Sequence, residues 1–301
     1  MLARLQQFLT LGVLATALVW TLVTWQLGNP GWAVAGALLL LGGYAGVLAL
    51  EFVLLNLTHG NDPTARARPA QLLRAWWGEV LSAPVVFCWR QPFRSRHWPD
   101  HLPTDAAGRC GVLLVHGYFC NRGIWNPWLE RLTAQGTPFV AVNLEPVFGG
   151  IDDTLPVLDA AMRRLEQATG RPPLVVAHSM GGLVLRRWLG KHGSLRRVQH
   201  VITLGTPHHG TWLARFATTN NSREMRQVSP WLAALAEGET TRGAADFSRF
   251  SCYYSHCDNI VFPPACATLP GANNQHLPAV AHVHMVERPE PWAELQRRLA
   301  N

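Results

Sequence analysis

The hydrophobic pattern divides the chain into an almost uncharged first fifth and a longer part in which short apolar runs alternate with amphipathic segments. Residues 11–27 and 32–50 are two runs without a charged side chain, and the second continues to Leu57 after Glu51. A bilayer-spanning helix takes about 20 mostly apolar residues, with about 17 as a lower limit. The turn GNPG at 28–31 separates the runs, so the pattern predicts a hairpin of two transmembrane helices within residues 1–60.

The first apolar run has a second interpretation, a cleaved signal peptide. Arg4 precedes the run, and an A-x-A sequence at 33–35 lies just past the turn. We favour the hairpin, because the run is longer than a usual signal core of about 7–15 residues and a second run follows at once. Arginines flank the hairpin at Arg4, Arg66, Arg68 and Arg74, and the turn has none. The positive-inside rule therefore predicts that both ends face the cytoplasm.

Residues 61–108 form a predicted interfacial or linker segment. Residues 61–69 are polar and contain two prolines, whereas residues 71–83 predict a helix with one broad apolar face. Aromatic residues then alternate with arginines: Trp89, Arg90, Phe93, Arg94, Arg96 and Trp98. This mixture suits an anionic headgroup layer. Packing of the aromatic residues against the globular part is the other interpretation, and the pattern leaves both open.

From residue 109 to residue 301 the pattern is typical of an α/β domain. Short, mostly apolar runs predict buried parallel strands at 111–116, 138–143, 174–177, 198–204 and 251–255. Amphipathic segments between and after them predict helices at 124–135, 153–169, 183–189 and 291–299. The alternation predicts a mostly parallel sheet with helices on both faces.

Composition supports contact with lipid. Of 301 residues, 48% are hydrophobic and only 15% are charged, where a soluble domain carries about 25% charge. Residues 1–60 contain only Arg4 and Glu51, which cancel, so the net charge of +7 belongs to the remainder. Basic residues among aromatics are also found in nucleic-acid-binding proteins, but the chain has no nucleic-acid motif, and we expect no such partner.

The segment LVVAHSMGG at 174–182 predicts a catalytic serine. A strand runs into a sharp turn with Ser179 at its apex, and a helix starts at once, as in a G-x-S-x-G nucleophile elbow. Ala177 replaces the first glycine and is still small. The helix N-terminus would direct backbone N–H groups at a developing negative charge. An ordinary serine helix cap is the alternative, which the strand-turn-helix context disfavours.

The chain resembles the α/β-hydrolase family, in particular bacterial lipases and esterases, through VHGYFCNRGIW, VVAHSMGG, LGTPHHGT, SHCDNIVFPP and AHVHMV, in that order over most of 109–301. The resemblance implies an α/β-hydrolase fold after the two transmembrane helices. It also implies that the backbones of Tyr118 and Met180 form the oxyanion hole, while His116 shapes the turn. No metal or organic cofactor is implied.

The acid should lie between the serine and the histidine, and Asp258 resembles the acid of the lipase S-x-x-D-x-x-V-x-P segment. Asp246 is the reserve candidate. His282 matches the lipase pattern for the base, with His284 as its competitor, while His276 fits less well. His208 and His209 resemble a structural lipase segment near the site.

Residues 211–247 lie between the fourth and fifth predicted strands, where a lid could sit. Their apolar residues are expected either to form a wall for acyl chains or to pack as a stabilising insertion: Trp212, Phe216, Trp231, Leu232 and Leu235. Six cysteines allow disulfides arithmetically, but a cytoplasmic domain would keep them as thiols.

Together these features predict a multi-pass protein of the bacterial inner membrane with a cytoplasmic serine hydrolase domain. Its expected substrate is a hydrophobic acyl ester or lipid close to the bilayer. Two other functions stay open: an acyltransferase or thioesterase with the same triad, and a membrane protein whose hydrolase-like domain only binds. Protein partners are not predicted.

Overall fold

The computed structural model describes residues 1–192, 195–241 and 246–300. The N-terminal part consists of helices α1 (Leu2–Gln26), α2 (Pro30–Gly42), α3 (Tyr44–Leu57) and α4 (Pro69–Pro84), a π-helical turn (Val85–Arg90) and α5 (Gln91–Arg94). The later α-helices are α6 (Asn126–Ala134), α7 (Leu155–Thr169), α8 (Met180–His192), α9 (Asn220–Glu224), α10 (Pro230–Thr241) and α11 (Pro289–Leu299). Short 3-10 helices lie at Arg122–Trp125, Ile151–Thr154, Leu195–Arg197, Trp212–Phe216, Pro264–Ala267 and His284–Glu287.

The sheet has six parallel strands: β1 (Val112–Val115), β2 (Phe139–Ala141), β3 (Leu174–His178), β4 (His200–Leu204), β5 (Phe250–Tyr254) and β6 (Asn273–His276). Their spatial order is β2-β1-β3-β4-β5-β6. The predicted apolar strands are present, and each strand end lies within two residues of its predicted position. β6 was not predicted from the sequence, because this edge strand is polar and exposed.

Helices cover both faces of the sheet, as predicted. On one face, α7 and α8 pack against side chains such as Leu113 and Val175 in one buried cluster. On the other, α6 and α11 pack against side chains such as Leu114 and Val176. Because alternate residues of a strand point to opposite faces, a fully buried parallel sheet needs apolar residues in succession. This is why the central strands could be predicted from short apolar runs.

The first two helices pack side by side as a hairpin. Trp20 donates its indole N–H to the carbonyl of Trp32 at 2.8 Å. Gly36 lies directly beneath this indole, and a Cβ at residue 36 would be 1.8 Å from the Trp20 ring nitrogen. Glycine at residue 36 therefore leaves the space in which the Trp20 indole lies against α2.

The second apolar run is not one straight helix. It divides at Gly43 into α2 and α3, which are bent by 50° relative to each other. By length and composition, α1 is long and apolar enough to cross a membrane, although a signal sequence would have the same properties. Helices α2 and α3 are long enough for a membrane span only if the bent pair counts as one span. The structure thus supports one candidate span, and the second predicted transmembrane helix stays a prediction.

Exposed apolar side chains are concentrated in the N-terminal part. Among the described residues, all but two of the large apolar side chains that are exposed lie within residues 1–93, the exceptions being Phe216 and Val228. From α4 to α5, every fourth residue belongs to this group: Leu73, Trp77, Leu81, Val85, Trp89 and Phe93. Contiguous apolar surface of this extent marks a membrane or protein contact.

Candidate active site

The turn after β3 holds Ser179 in a strained conformation at the carboxyl end of this central strand. β3 ends at His178, α8 begins at Met180, and Ser179 between them has a φ of +54°. Left-handed backbone is uncommon for a serine and typical of a nucleophile elbow. A Cβ at residue 181 would be 2.6 Å from the carbonyl oxygen of Val115, so Gly181 allows α8 to pass close to β1. The strain and the glycine together fix the serine at the helix N-terminus.

The His-Gly-Tyr turn after β1 lies directly against Ser179. A Cβ at Gly117 would be 2.6 Å from the Cβ of Ser179 and 3.2 Å from its hydroxyl oxygen. His116 accepts the Leu144 N–H on Nε2 at 2.9 Å, and burial lowers its pKa to about 4, so it is a neutral group that holds the turn. Tyr118 follows Gly117 in the chain and lines the same cavity as Ser179.

Asp258 and His282 form a buried pair. His282 Nδ1 donates to Asp258 Oδ2 at 2.9 Å, and the residues are 4% and 1% exposed. The other carboxylate oxygen accepts the N–H groups of Ile260 at 3.0 Å and Val261 at 2.8 Å. Burial disfavours the charged imidazole, but the charge of Asp258 and its hydrogen bond raise the pKa of His282 above its ordinary value.

A cavity of about 850 Å³ opens onto Ser179 and His282. Ser179, His178 and His282 line it together with Tyr118. Helices α1, α2 and α3 also contribute to its lining, and most of its surface is apolar. A serine and a carboxylate-bound histidine therefore face one apolar space, which is the arrangement that acyl transfer requires.

Comparison with known proteins decides the family. A model described as the alpha/beta hydrolase family matches residues 112–298. The chain belongs to the α/β-hydrolase family.

The mature lipase BlEst2 of Bacillus licheniformis is 20% identical, with 64% of this chain and 92% of that chain covered and a TM-score of 0.55. Lipase B of Aspergillus fumigatus is 21% identical over 64% of this chain and 53% of that chain, with a TM-score of 0.56. At these identities the likeness concerns the fold. No curated protein sequence matches the chain.

Other predicted candidates lie elsewhere in the α/β hydrolase. His284 does not contact Asp258 but packs against Gly78. Asp246 is exposed and accepts the N–H of Ser248. His208 is buried against Thr203 at 3.2 Å, with its pKa lowered by burial, and His276 lies on the exposed strand β6. His208 therefore fits the predicted packing role.

Only part of the predicted insertion faces the α/β-hydrolase cavity. Of the described residues in 211–247, those lining the cavity are Thr211 and Met225; residues 242–245 lie outside the described chain. Leu232 and Leu235 are buried in the core cluster with α7 and α8, and Trp212 stacks on Phe262. None of the five residues expected to form an acyl wall lines the cavity. Leu232 and Leu235 fit a packed insertion, whereas Phe216 is 66% exposed, and a lid at 211–247 stays a prediction.

Two acidic residues outside the matched region hold the His282 loop of the α/β hydrolase. Glu79 on α4 accepts the N–H groups of Val283 and His284, both at 3.0 Å. On α3, Glu51 accepts from the Asn259 amide at 2.6 Å, and Asn259 in turn accepts the His282 N–H at 3.2 Å. The backbone N–H groups of His282, Val283 and His284 are thus held by the N-terminal helices, that of His282 through Asn259.

Helix α1 bonds to the loop that follows the His-Gly-Tyr turn. Gln6 donates to the carbonyl of Phe119 at 3.4 Å and to Gln91 at 3.1 Å. Asn121 bonds both of these glutamines, to Gln91 through its backbone N–H at 3.0 Å and to Gln6 through its amide at 3.4 Å. Sequence analysis missed this buried network. The local signal was the pair of glutamines, Gln6 and Gln7, directly ahead of the long apolar run.

Proposed function

We propose that this α/β hydrolase is a membrane-anchored serine hydrolase that cleaves carboxylic esters. The observation that carries the proposal is Ser179, in an elbow, facing the same cavity as the His282–Asp258 pair. Asp258 keeps Nδ1 of His282 protonated, which leaves Nε2 as the base for the serine hydroxyl. The raised pKa of His282 favours the imidazolium that forms when the proton arrives.

The reaction proceeds through an acyl-enzyme. Ser179 Oγ attacks the ester carbonyl and loses its proton to His282, which then passes it to the leaving alcohol. The N–H groups of Tyr118 and Met180 stabilise the oxyanion, and loss of one such donor typically costs about 100–1,000-fold in rate. Water, activated by His282, hydrolyses the acyl-serine. The steps use side chains and backbone groups of this chain and call for no metal or organic cofactor.

The N-terminal part is the proposed anchor. We propose that α1 forms one span, that the bent pair α2–α3 forms the return, and that the stripe of exposed apolar residues from Leu73 to Phe93 lies in the interface. Retention of α1, rather than cleavage, is supported by the Gln6 network, because removal of α1 would break the hydrogen bonds of Gln6 to Gln91, Asn121 and the Phe119 carbonyl. The domains are then 1–60 as hairpin, 61–108 as interfacial segment and 109–301 as catalytic domain. The flanking arginines support a cytoplasmic catalytic domain at the bacterial inner membrane.

Hydrolysis of p-nitrophenyl esters by the full-length protein in detergent tests the catalytic proposal. Ser179→Ala should lower kcat/KM by about 10⁴–10⁶-fold, as loss of a triad nucleophile does. Ser248→Ala, at an exposed serine, is the matched control and should leave the rate unchanged. Equal rates for wild type and Ser179→Ala would refute the proposal.

The side of the membrane needs a separate assay. A membrane-impermeant fluorophosphonate should label Ser179 in lysed spheroplasts and leave it unlabelled in intact ones. Labelling of intact spheroplasts would place the catalytic domain outside the cytoplasm and contradict the predicted orientation.

A further inference from the structure

The cavity above Ser179 is completed by helices that lie outside the family match. Among its lining residues are Leu9, Val13 and Leu14 of α1, Leu41 of α2 and Leu48 of α3. All precede residue 112, where the matched region begins. The catalytic domain alone therefore does not enclose the cavity, and its chemistry depends on what these helices present to it.

The chemistry of the cavity fits an aliphatic chain. Its volume of about 850 Å³ falls within the range of about 300–1,000 Å³ for small-molecule sites. The helices present leucine and valine side chains, which offer an alkyl chain no hydrogen bonds but remove it from water. Each methylene that is buried strengthens binding by about fourfold.

The position of the cavity along α1 relates it to the bilayer. The lining residues of α1 end at Leu14, so residues 15–26 are left beyond the cavity. Those 12 residues are about 18 Å long at 1.5 Å per residue, whereas the hydrocarbon core is about 30 Å thick. A spanning α1 must therefore take about 12 Å, or about eight residues, from the segment that lines the cavity. The cavity opening then lies at the depth of the acyl chains.

We propose that α1, α2 and α3 form an acyl-chain site that receives the long chain of a membrane-resident ester directly from the bilayer. The chain passes between the helices while the ester carbonyl reaches Ser179. The N-terminal helices thus select the substrate as well as anchor the enzyme. This inference rests on the proposed ester hydrolysis and on a spanning α1.

A tethered probe tests the site in the wild-type protein. A fluorophosphonate with a 16-carbon chain and a terminal diazirine is allowed to react, so that Ser179 Oγ displaces fluoride from phosphorus, and unreacted probe is removed before irradiation. Residues 5–65 contain no lysine or arginine, so trypsin releases the region of α1–α3 as one peptide. We expect the photo-crosslink in that peptide. Crosslinks confined to residues 112–300 would overturn the proposal, whereas absence of Ser179 labelling would instead refute the proposed hydrolase.

Chain-length selectivity provides the second measurement. Leu48→Trp fills the cavity, and Leu50→Trp, on the exposed side of the same helix, is its control. Relative to p-nitrophenyl butyrate, kcat/KM for p-nitrophenyl palmitate should fall at least tenfold in Leu48→Trp and by less than twofold in Leu50→Trp. Leu14→Trp with Leu11→Trp as control repeats the comparison on α1. A palmitate-to-butyrate ratio that neither cavity variant changes more than its control would overturn the proposal, even though the esters are hydrolysed.

Discussion

Glu79 offers a test that separates stability from catalysis. Its side chain lies on α4, is 2% exposed, and accepts two backbone N–H groups beside His282. Burial raises the pKa of Glu79 from 4.5 to about 7, and the two hydrogen bonds only partly oppose this. The folded protein therefore holds a carboxyl group that is more easily protonated than in the unfolded chain.

The sign of the stability effect follows from proton linkage. A carboxyl group with a raised pKa binds its proton more tightly when the protein is folded, so stability falls as pH rises from about 4.5 to about 7. The difference between 4.5 and about 7 corresponds to about 3 kcal/mol, at 1.36 kcal/mol for each unit of pKa. Most of it, about 2–3 kcal/mol, falls between pH 5 and pH 8.

Glu79→Gln removes this ionisation and keeps the shape of the side chain. Between pH 5 and pH 8, the variant should gain about 2–3 kcal/mol in unfolding free energy relative to wild type, measured by thermal unfolding in detergent. It should also lose activity, because the Glu79 charge helps to raise the pKa of His282 and thus stabilises the imidazolium. The acidic limb of the kcat/KM profile should shift to lower pH.

Glu130→Gln, at an exposed position of α6, is the matched control and should change neither profile. A difference in unfolding free energy between wild type and Glu79→Gln that stays constant from pH 5 to pH 8 would refute the stability reasoning. An acidic limb that stays in place or moves to higher pH would refute the electrostatic link to His282.

Three further changes, one of them with a matched control, test the site and its supports. Asp258→Asn should lower kcat by about 10⁴-fold without loss of folding, as measured by ester hydrolysis and circular dichroism; a loss below tenfold would exclude Asp258 as the triad acid. Gly205→Ala places a Cβ 2.8 Å from Asp258 Oδ2 at a φ of +54°, so activity should fall at least tenfold and stability by about 1–2 kcal/mol. Gly238→Ala, in open space on α10, should instead stabilise the protein by about 0.5–1 kcal/mol, and an equal loss in both variants would contradict the steric argument. Gln6→Ala should cost about 1–2 kcal/mol by removing the hydrogen bonds of Gln6 to Gln91 and Asn121, and an unchanged melting temperature would show that α1 is not held by this network.

The elements that sequence analysis located are those whose signals are local. β3 and the turn at Ser179 can be predicted from nine consecutive residues, because a buried strand needs an apolar run and the close passage of α8 needs glycines. The predicted sheet with helices on both faces was confirmed for the same reason. β6 was not predicted because its residues are polar. The bend at Gly43 was not predicted because the residues on both sides of it are equally apolar.

The contacts between the N-terminal helices and the site could not be predicted in this way. Glu79 meets Val283 across 204 residues, and Glu51 meets Asn259 across 208. No periodicity in the sequence reports such pairs, and the family resemblance stops short of residues 1–108. The one sequence feature that pointed to these contacts was an isolated charge, since Glu51 is the only acidic residue among the first 60.

That isolated charge links the N-terminal helices to the candidate active site. An acidic residue in an apolar segment is costly unless it is paired, and such residues are therefore retained for function. Glu51 accepts a hydrogen bond from the Asn259 amide, and Asn259 accepts the backbone N–H of His282. Glu79 accepts the backbone N–H groups of the next two residues of the same loop. Gln6 binds the loop beside Tyr118. If the N-terminal helices served only as the proposed anchor, they could be uniformly apolar, whereas these three polar side chains tie the loops of the candidate site to the position of the helices.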